Sequence, residues 1–552
     1  MRNKTVKKLL SLAMVVTLAI GLTACGQKKA SDQETSKSEA SKVESSSKKE
    51  EVPASSDVAE DGKITYPLES NETLSFYTWR VQPNPEYASA DESPFHTGLE
   101  KMTGIDYEWV FPSPGQDEGS ALNVMLTEKE LPQIMHQGWD LNWIADLLKN
   151  DKIWDLTEYL PKYAPDYWAF VNQPKYQAAL KAAEVDGKQW GLLCFVEGDY
   201  NLFYQGHAVR KDWADECGIN LDEVVTLEDW EEMLTTFKDK YGAKMVTPTQ
   251  IMTGTGAHAT LSATLYVENG VIKFANSEPE WKKYLAVLHD WWEKDLIDKD
   301  TFTMDATARR TKAANNQVSV IYGAMSQMTN LIQDAEGTGA EWVGIGFPRT
   351  AKGATIETLG NGFSTYWRAN VAAVITKSAS EEEMILALKA LNYGFTEEGI
   401  KYWNFGEEGV SYNVNADGSI EWTDVILKDE GGLNNAITKY TGSDSVPCSV
   451  QLSEFVQKKN NPIVAEAVYT WTENHDSNKY ALPMVTMTDE ELMKYTDAWA
   501  AISTYVKEMA LKFITGEESL DNWDTYLKTV EEYGIKDVLE TYQAAYDRAM
   551  NR

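Results

Sequence analysis

From Thr73 onward the chain alternates short apolar runs with helical stretches, and nothing else in it constrains the fold as much. "TLSFYTWRV" (73–81) reads as a strand. "GLEKMTGIDYEWVFP" (98–112) reads as the end of a helix, a glycine stop and a strand, and "ALNVMLTEKELPQIMHQG" (121–138) as a helix followed by the short strand "QIMHQ". Strands alternating with helices predict a parallel α/β sheet. Ligands of such sheets sit beyond the carboxyl ends of the strands, which puts Trp79 and Arg80, then Trp139 and Asp140, at a cleft rim.

Local signals continue downstream. Asp186-Gly187 and Asn269-Gly270 stand between strand-like runs and predict hairpin turns, because these pairs tolerate positive φ. Thr226 and Asp229 open "TLEDWEEMLTTFKDKY" as a capping box, with Trp230, Met233, Leu234 and Phe237 on one face. In "EPEWKKYLAVLHDWWEKDLI", Trp281, Tyr284, Leu285, Leu288 and Trp292 recur at helical spacing, so the aromatic stripe is core. "QVSVIYGAM" (317–325) reads as a buried strand, "NVAAVITKSASEEEMILALKALNYGF" (370–395) as strand, turn and helix, and the chain beyond about 490 as mostly helical.

The first 62 residues follow other rules. Arg2, Lys4, Lys7 and Lys8 precede the apolar stretch Leu9 to Leu22, the layout of a secretory signal and too short for a permanent span. Leu22-Thr23-Ala24-Cys25 resembles a bacterial lipobox, so 1–24 is expected to be removed and Cys25 to carry an acyl (palmitate-type) anchor. Residues 26–62 hold no aromatic residue and no Leu, Ile or Met. They cannot bury enough surface to offset the entropy of ordering, and as a tether would reach on the order of 30 Å. Residues 25–62 are therefore expected to hold the body beside the outer face of the cell membrane without embedding it.

The remaining body is long for one domain and suits two lobes. A formal charge of −34, or −38 without residues 1–24, argues against nucleic acid, whose phosphates need a basic footprint. Cys194, Cys217 and Cys448 form no CxxC pair, the six His show no zinc spacing, and there is no nucleophile elbow or Walker loop. Neither a metal nor a cofactor is expected. Asn413, Asn415, Asp417, Gly418 and Asp424 sit at calcium-loop offsets, but the first ligand should be Asp and the last Glu. A hairpin turning on Asp417-Gly418 explains the same letters.

Several segments resemble the extracellular solute-binding proteins of bacterial ABC importers, the sugar-binding (family 1) type in its large Firmicute lipoprotein branch. They are "AVRKDWADECGI" (208–219) with "TLEDWEEMLTTFKDK" (226–240), the hairpin-helix unit from Tyr266, "AAVITKSASEEEMILALKALNYGFTEEG" (372–399), "NFGEEGVSY" (404–412) and the closing helices 513–548. Their order and spacing together carry the resemblance, which spans nearly all of 63–552. It implies a type II periplasmic-binding-protein-like α/β fold of two lobes, joined by crossover strands around a cleft, with extra C-terminal helices. The implied lobes are 63–200 plus 318–378 and 201–317 plus 379–552. The implied activity is capture of a carbohydrate, an oligosaccharide in particular, by lobe closure and delivery to a membrane permease. That would be done by a monomer with no catalytic residue. The family often carries acidic-polar residues after its third strand, where this chain has Gln137-Gly138-Trp139-Asp140.

A sugar cleft needs flat aromatic faces against C–H faces and short polar chains for hydroxyls. Strand ends and crossovers supply Trp79, Arg80, Trp139, Asp140, Glu197, Asp199, Tyr200, Gln250, Tyr322, Tyr366, Trp367, Arg368, Trp403 and Glu408. Each aromatic also suits core or hinge packing. Arg80 and Arg368 could bind a uronate carboxylate or pair with one of the many acids. Two other functions fit the same letters. One is an anchored glycan-active enzyme using two carboxylates; the other is a receptor that senses its ligand without transport.

Overall fold

The computed structural model describes residues 63–113, 115–198, 205–249, 258–355, 367–442, 448–473, 480 and 482–550. The expected signal segment, Cys25 and the expected tether lie outside these residues. The strands are β1 (Thr73–Thr78), β2 (Asp106–Val110), β3 (Ile134–Gly138), β4 (Leu192–Val196), β5 (Gln205–Arg210), β6 (Lys244–Val246), β7 (Leu265–Glu268), β8 (Val271–Phe274), β9 (Val318–Ala324), β10 (Trp342–Ile345), β11 (Trp367–Ile375), β12 (Tyr412–Val414), β13 (Ile420–Trp422) and β14 (Val450–Gln451).

They form two main sheets. The first has the order β2-β1-β3-β11-β4-β14 and is parallel except for β11, which runs against both β3 and β4. The second is β10-β5-β9-β6, in which β5 alone runs opposite to its neighbours. Each sheet has its own hydrophobic core. One contains Leu74, Phe76, Ile134, Leu192, Val374 and Leu388; the other contains Val209, Trp230, Trp281, Val320, Val468 and Phe513. The chain is thus a two-lobed α/β protein.

Local chemistry explains the elements. Asp186 (φ 51°) with Gly187 (φ 75°), and Asn269 (φ 52°) with Gly270 (φ 80°), take the left-handed conformation that a tight hairpin requires. The helix Leu227–Tyr241 begins with the Thr226/Asp229 capping box and buries Trp230, Met233, Leu234 and Phe237. The helix Pro279–Glu293 buries Trp281, Tyr284, Leu285, Leu288 and Trp291. Trp292, expected in that stripe, is partly covered, packs against the second core and stacks on Phe302 at 5.7 Å, while its neighbour Trp291 is the more deeply buried. The letters with calcium-loop spacing make the β12–β13 hairpin, in which Ser419 N donates to Asp417 Oδ1 at 3.0 Å. The C-terminal helices Asp489–Thr515, Trp523–Glu532 and Ile535–Met550 join the second core, with Tyr526 5.4 Å from Trp281.

Several segments differ from the expected division of the lobes, among them β14, expected in the second lobe but paired with β4 in the first sheet. β9, expected in the first lobe, pairs with β5 along Gln205–Val209 and lies in the second sheet, as does β10. The helix Glu381–Asn392, expected in the second lobe, packs Met384, Ala387 and Leu388 into the first core. Apolar strands and helices look alike in either core, so the letters do not reveal which partner they choose.

Candidate functional site

Strand direction marks the place of a candidate cleft. In the first sheet the carboxyl ends of β1, β3, β4 and β14 share an edge with the start of β11. In the second sheet the ends of β6, β9 and β10 share an edge with the start of β5. Three of the passages between the lobes join these strand edges directly. The chain runs from Val196 to Gln205, from Ile345 to Trp367, and from Gln451 through Leu452 into the helix Ser453–Lys459. Phe455 and Val456 of that helix belong to the second core.

The last crossover is braced. Buried Asn404 donates to Val450 O at 2.8 Å and accepts from Leu452 N at 2.9 Å. Glu197, just past β4, accepts from Ser453 N at 3.1 Å through Oε2, and its backbone N donates to Gln451 O at 2.8 Å. This carboxylate, expected to face a ligand, holds the joint together.

At the first edge Trp79 is half-buried, and the Arg80 guanidinium carbon lies 5.9 Å from its ring centroid. Arg80 pairs with Glu118 in a fork, Nε to Oε1 at 3.2 Å and Nη2 to Oε2 at 2.9 Å. Glu118 Oε1 also accepts from Gly138 N at 2.8 Å, so one carboxylate ties the ends of β1 and β3. Asp140 is exposed and caps the helix Leu141–Lys149, accepting from Asn142 N at 2.7 Å.

Trp139 is a correction. It is 1% exposed, its indole N–H donates to Ala372 O at 3.0 Å, and it belongs to the core rather than to the rim. Trp403 is another: it is buried with its ring 5.0 Å from that of Phe95 in the first core. Glu408 is exposed and lines a separate cavity of about 480 Å³ with Tyr393, Tyr402 and Glu407. Trp367 and Arg368 begin β11 at the edge, with side chains outside the described residues, as are Asp199, Tyr200, Gln250 and Tyr366.

At the second edge Tyr322 is half-buried and donates to Gln205 Oε1 at 3.1 Å. Its ring lies 5.1 Å from buried His207 and 6.3 Å from Phe347. Burial pushes His207 down to about 3, partly offset by its bond to Thr249 O, so the imidazole is neutral. Thr247, at the end of β6, has φ 49°, a strained conformation for a β-branched residue. Its hydroxyl donates to Tyr322 O at 2.8 Å.

Sequence reasoning did not find Glu118, Thr247 or Gln137. Glu118 lies 38 residues from Arg80, beyond any local pattern. Gln137 is fully buried in β3, and neither atom of its amide has a partner among the described residues; the same is true of Tyr77 OH in β1. A cavity of about 660 Å³ runs along the free side of β10 between Ile219–Val225 and the helix Pro462–Thr472. Its lining belongs to the second lobe alone, which sets it apart from the cleft. Among the described residues no group of three or more His, Cys, Asp or Glu is placed to hold a metal ion, and no helix is long and apolar enough to cross a membrane.

No family model matches the chain. Over 520 residues it is 22% identical to the fructooligosaccharide ABC transporter substrate-binding protein FusA of Streptococcus pneumoniae, covering 88% of this chain and 92% of that protein. Among solved structures it resembles the alginate-binding protein AlgQ2 without calcium ion, with a TM-score of 0.64 and 20% identity over 86% of this chain and 98% of that one. It also resembles an HMO-binding, ABC-transporter-associated solute-binding protein from Bifidobacterium longum infantis, with a TM-score of 0.67 and 17% identity over 87% of this chain and 99% of that one. The chain has the fold of these solute-binding proteins.

Proposed function

We propose that this chain is the substrate-binding component of an ABC importer and that it captures an extracellular oligosaccharide between its two lobes. The observation that carries the reading is the pair of strand edges meeting across three crossovers, with half-buried Trp79 on one edge and Tyr322 on the other. Similarity along 88% of the chain to a fructooligosaccharide-binding relative supports the same ligand class.

In this reading the lobes are 63–198 with 367–403 and 448–451, and 205–355 with 405–442 and 453–550. Trp79 offers a flat face to a sugar ring, and Gln205 and Tyr322 offer hydrogen bonds to its hydroxyls. The guest leaves unaltered, without catalysis or cofactor. Lipid on Cys25 and the tether 26–62 keep a monomer close to its permease on the outer side of the membrane. A paired-carboxylate enzyme draws little support, since Glu118, Asp140 and Glu197 serve as an ion-pair partner, a helix cap and a crossover brace.

The test is a glycan panel read by Trp fluorescence and melting temperature. A ligand at one hundred times its Kd should stabilise the protein by about 2.7 kcal/mol. No saturable response to any glycan, or chemical turnover of one, overturns the proposal.

A further inference from the structure

We infer that the candidate cleft is walled at both ends by ties between the lobes, so that it takes a glycan by a chain end and rejects a strand running straight through. The inference rests on the carbohydrate reading above and deepens it.

Topology gives the position of the two ends. In the order β2-β1-β3-β11-β4-β14 the chain steps outward from β1 to β2 and the opposite way from β3 to β4. A parallel crossover within one sheet is right-handed. The helix after β1 (Pro94–Thr103) and the helix after β3 (Leu141–Lys149) therefore cover opposite faces of the first sheet. The three direct passages reach β4, β11 and β14 and close the back of the cleft. What is left is one end over each face, and a lip on the β2 side.

The first tie stands over the face of the helix Pro94–Thr103. The connection from β1 to that helix is rooted in the first core by Val81 and Phe95. Between them Asn84, 3% exposed, donates through Nδ2 to Asn435 Oδ1 at 2.9 Å and to Thr438 Oγ1 at 2.7 Å. Glu86 accepts from Asn435 Nδ2 at 2.7 Å and pairs with Lys439 at 2.8 Å. These partners stand on the helix Leu433–Tyr440, whose Ala436 and Ile437 belong to the second core.

The second tie stands over the opposite face. Residues 482–488 are held to the helix Ile535–Met550 of the second lobe, where Tyr542 donates to Pro483 O at 3.4 Å and Arg548 Nη2 to Thr486 O at 3.2 Å. From there the segment reaches the first lobe. Met484 packs against the first core, and Met487 N donates to Asn142 Oδ1 at 2.9 Å. Asn142 lies in the first turn of the helix that follows β3.

A glycan strand lying along the cleft and leaving at both ends has to displace at least one tie. At the first it would strip Asn84 and Glu86 of their partners on the second lobe, a loss that contacts to sugar hydroxyls would have to offset. A chain end meets no such cost. It stops against a wall, and the rest of the chain leaves by the lip. Asn84 and Asn142 are thus positioning residues, which act on specificity through the walls they hold in place.

The test titrates the full-length protein with linear fructan, mannan, xylan and glucan oligosaccharides, from disaccharides to decasaccharides. Each decasaccharide is used free, with a bulky aryl group on either terminal residue, and with one on both. For any backbone that binds, capping both ends should weaken binding at least tenfold, whereas a cap on one of the two ends should cost less than threefold. The double variant Asn142→Ala/Met484→Ala frees residues 482–488 from the first lobe. It should return at least fivefold of the doubly capped chain's affinity and shift that of the free chain less than twofold. A doubly capped decasaccharide that binds the native protein as tightly as the free one overturns the inference. So does a double variant that melts normally and returns none of that affinity. If the variant does not fold, the capped and free affinities of the native protein still decide the question. If no backbone binds, the carbohydrate reading falls and takes this inference with it.

Discussion

Trp79 and Trp139 each follow a strand of the first sheet, yet one is half-exposed and the other closes the core. The difference lies in the neighbour: Ala372 O on β11 accepts the Trp139 indole, and β11 comes from a part of the chain more than two hundred residues away. Nothing local in the sequence distinguishes the two, which is why the rim was legible there as a region but not residue by residue. Trp79→Ala should weaken glycan binding about tenfold or more through lost stacking and burial, with little change in melting temperature. Trp139→Ala should cost about 3–5 kcal/mol of stability, read by denaturant titration. Gln137 makes a second contrast. Its buried amide has no partner among the described residues, and such a group costs about 1–3 kcal/mol. Gln137→Met should therefore raise the melting temperature by a few degrees. Two of the buried imidazoles, His96 and His207, set a pH dependence. Burial pushes His96 down from 6.5 to about 4 and His207 from 6.5 to about 3, in each case opposed by a bond to a backbone carbonyl. The unfolded chain takes up these protons near pH 6.5 and the folded chain refuses them, so their contribution is complete above that pH and is lost as pH falls toward 4 and then 3. His207→Gln should flatten the acid limb of a melting-temperature profile between pH 6.5 and 4.

Elements were more legible than contacts. The capping boxes at Thr226/Asp229 and Ser380/Glu383 and the Asn269-Gly270 turn are written in adjacent letters, and the helices and hairpin form where those letters stand. β9 is legible as a strand, but its sheet is not, because period and β-branching reveal burial but not partner. Close approaches between elements are invisible in the same way. Gly206 in β5 sits against the helix Pro462–Thr472, where an added Cβ would come within 2.1 Å of the Trp471 ring. That indole also donates to His207 O at 3.0 Å, so it is held in place. Gly206→Ala should destabilise the second lobe by about 1–3 kcal/mol through overpacking, visible as an earlier unfolding transition that ligand only partly restores.

At the scale of the molecule, the order of strands and helices implied two lobes and a cleft before any distance was known, whereas the identity of the joint did not follow from it. Asn404 carries no motif, yet it spans the last crossover through Val450 O and Leu452 N. Asn404→Ala should lower stability by about 1–3 kcal/mol and broaden the range of lobe orientations, seen as a larger radius of gyration in ligand-free scattering. The Lys149–Asp489 ion pair across the lobes is well exposed, at 66% and 88%, and its removal should change neither stability nor affinity measurably. Only Leu452 separates the last strand of the first sheet from a helix rooted in the second core. Such a link acts as a pivot and not a slider. Displacement grows with radius from that point, so residues nearest Leu452 sweep short arcs and those at the far lip sweep long ones. In the proposed capture function, a longer chain of sugar units would be accommodated at the far lip, while the units nearest the pivot would meet almost the same walls whether the jaws are apart or together.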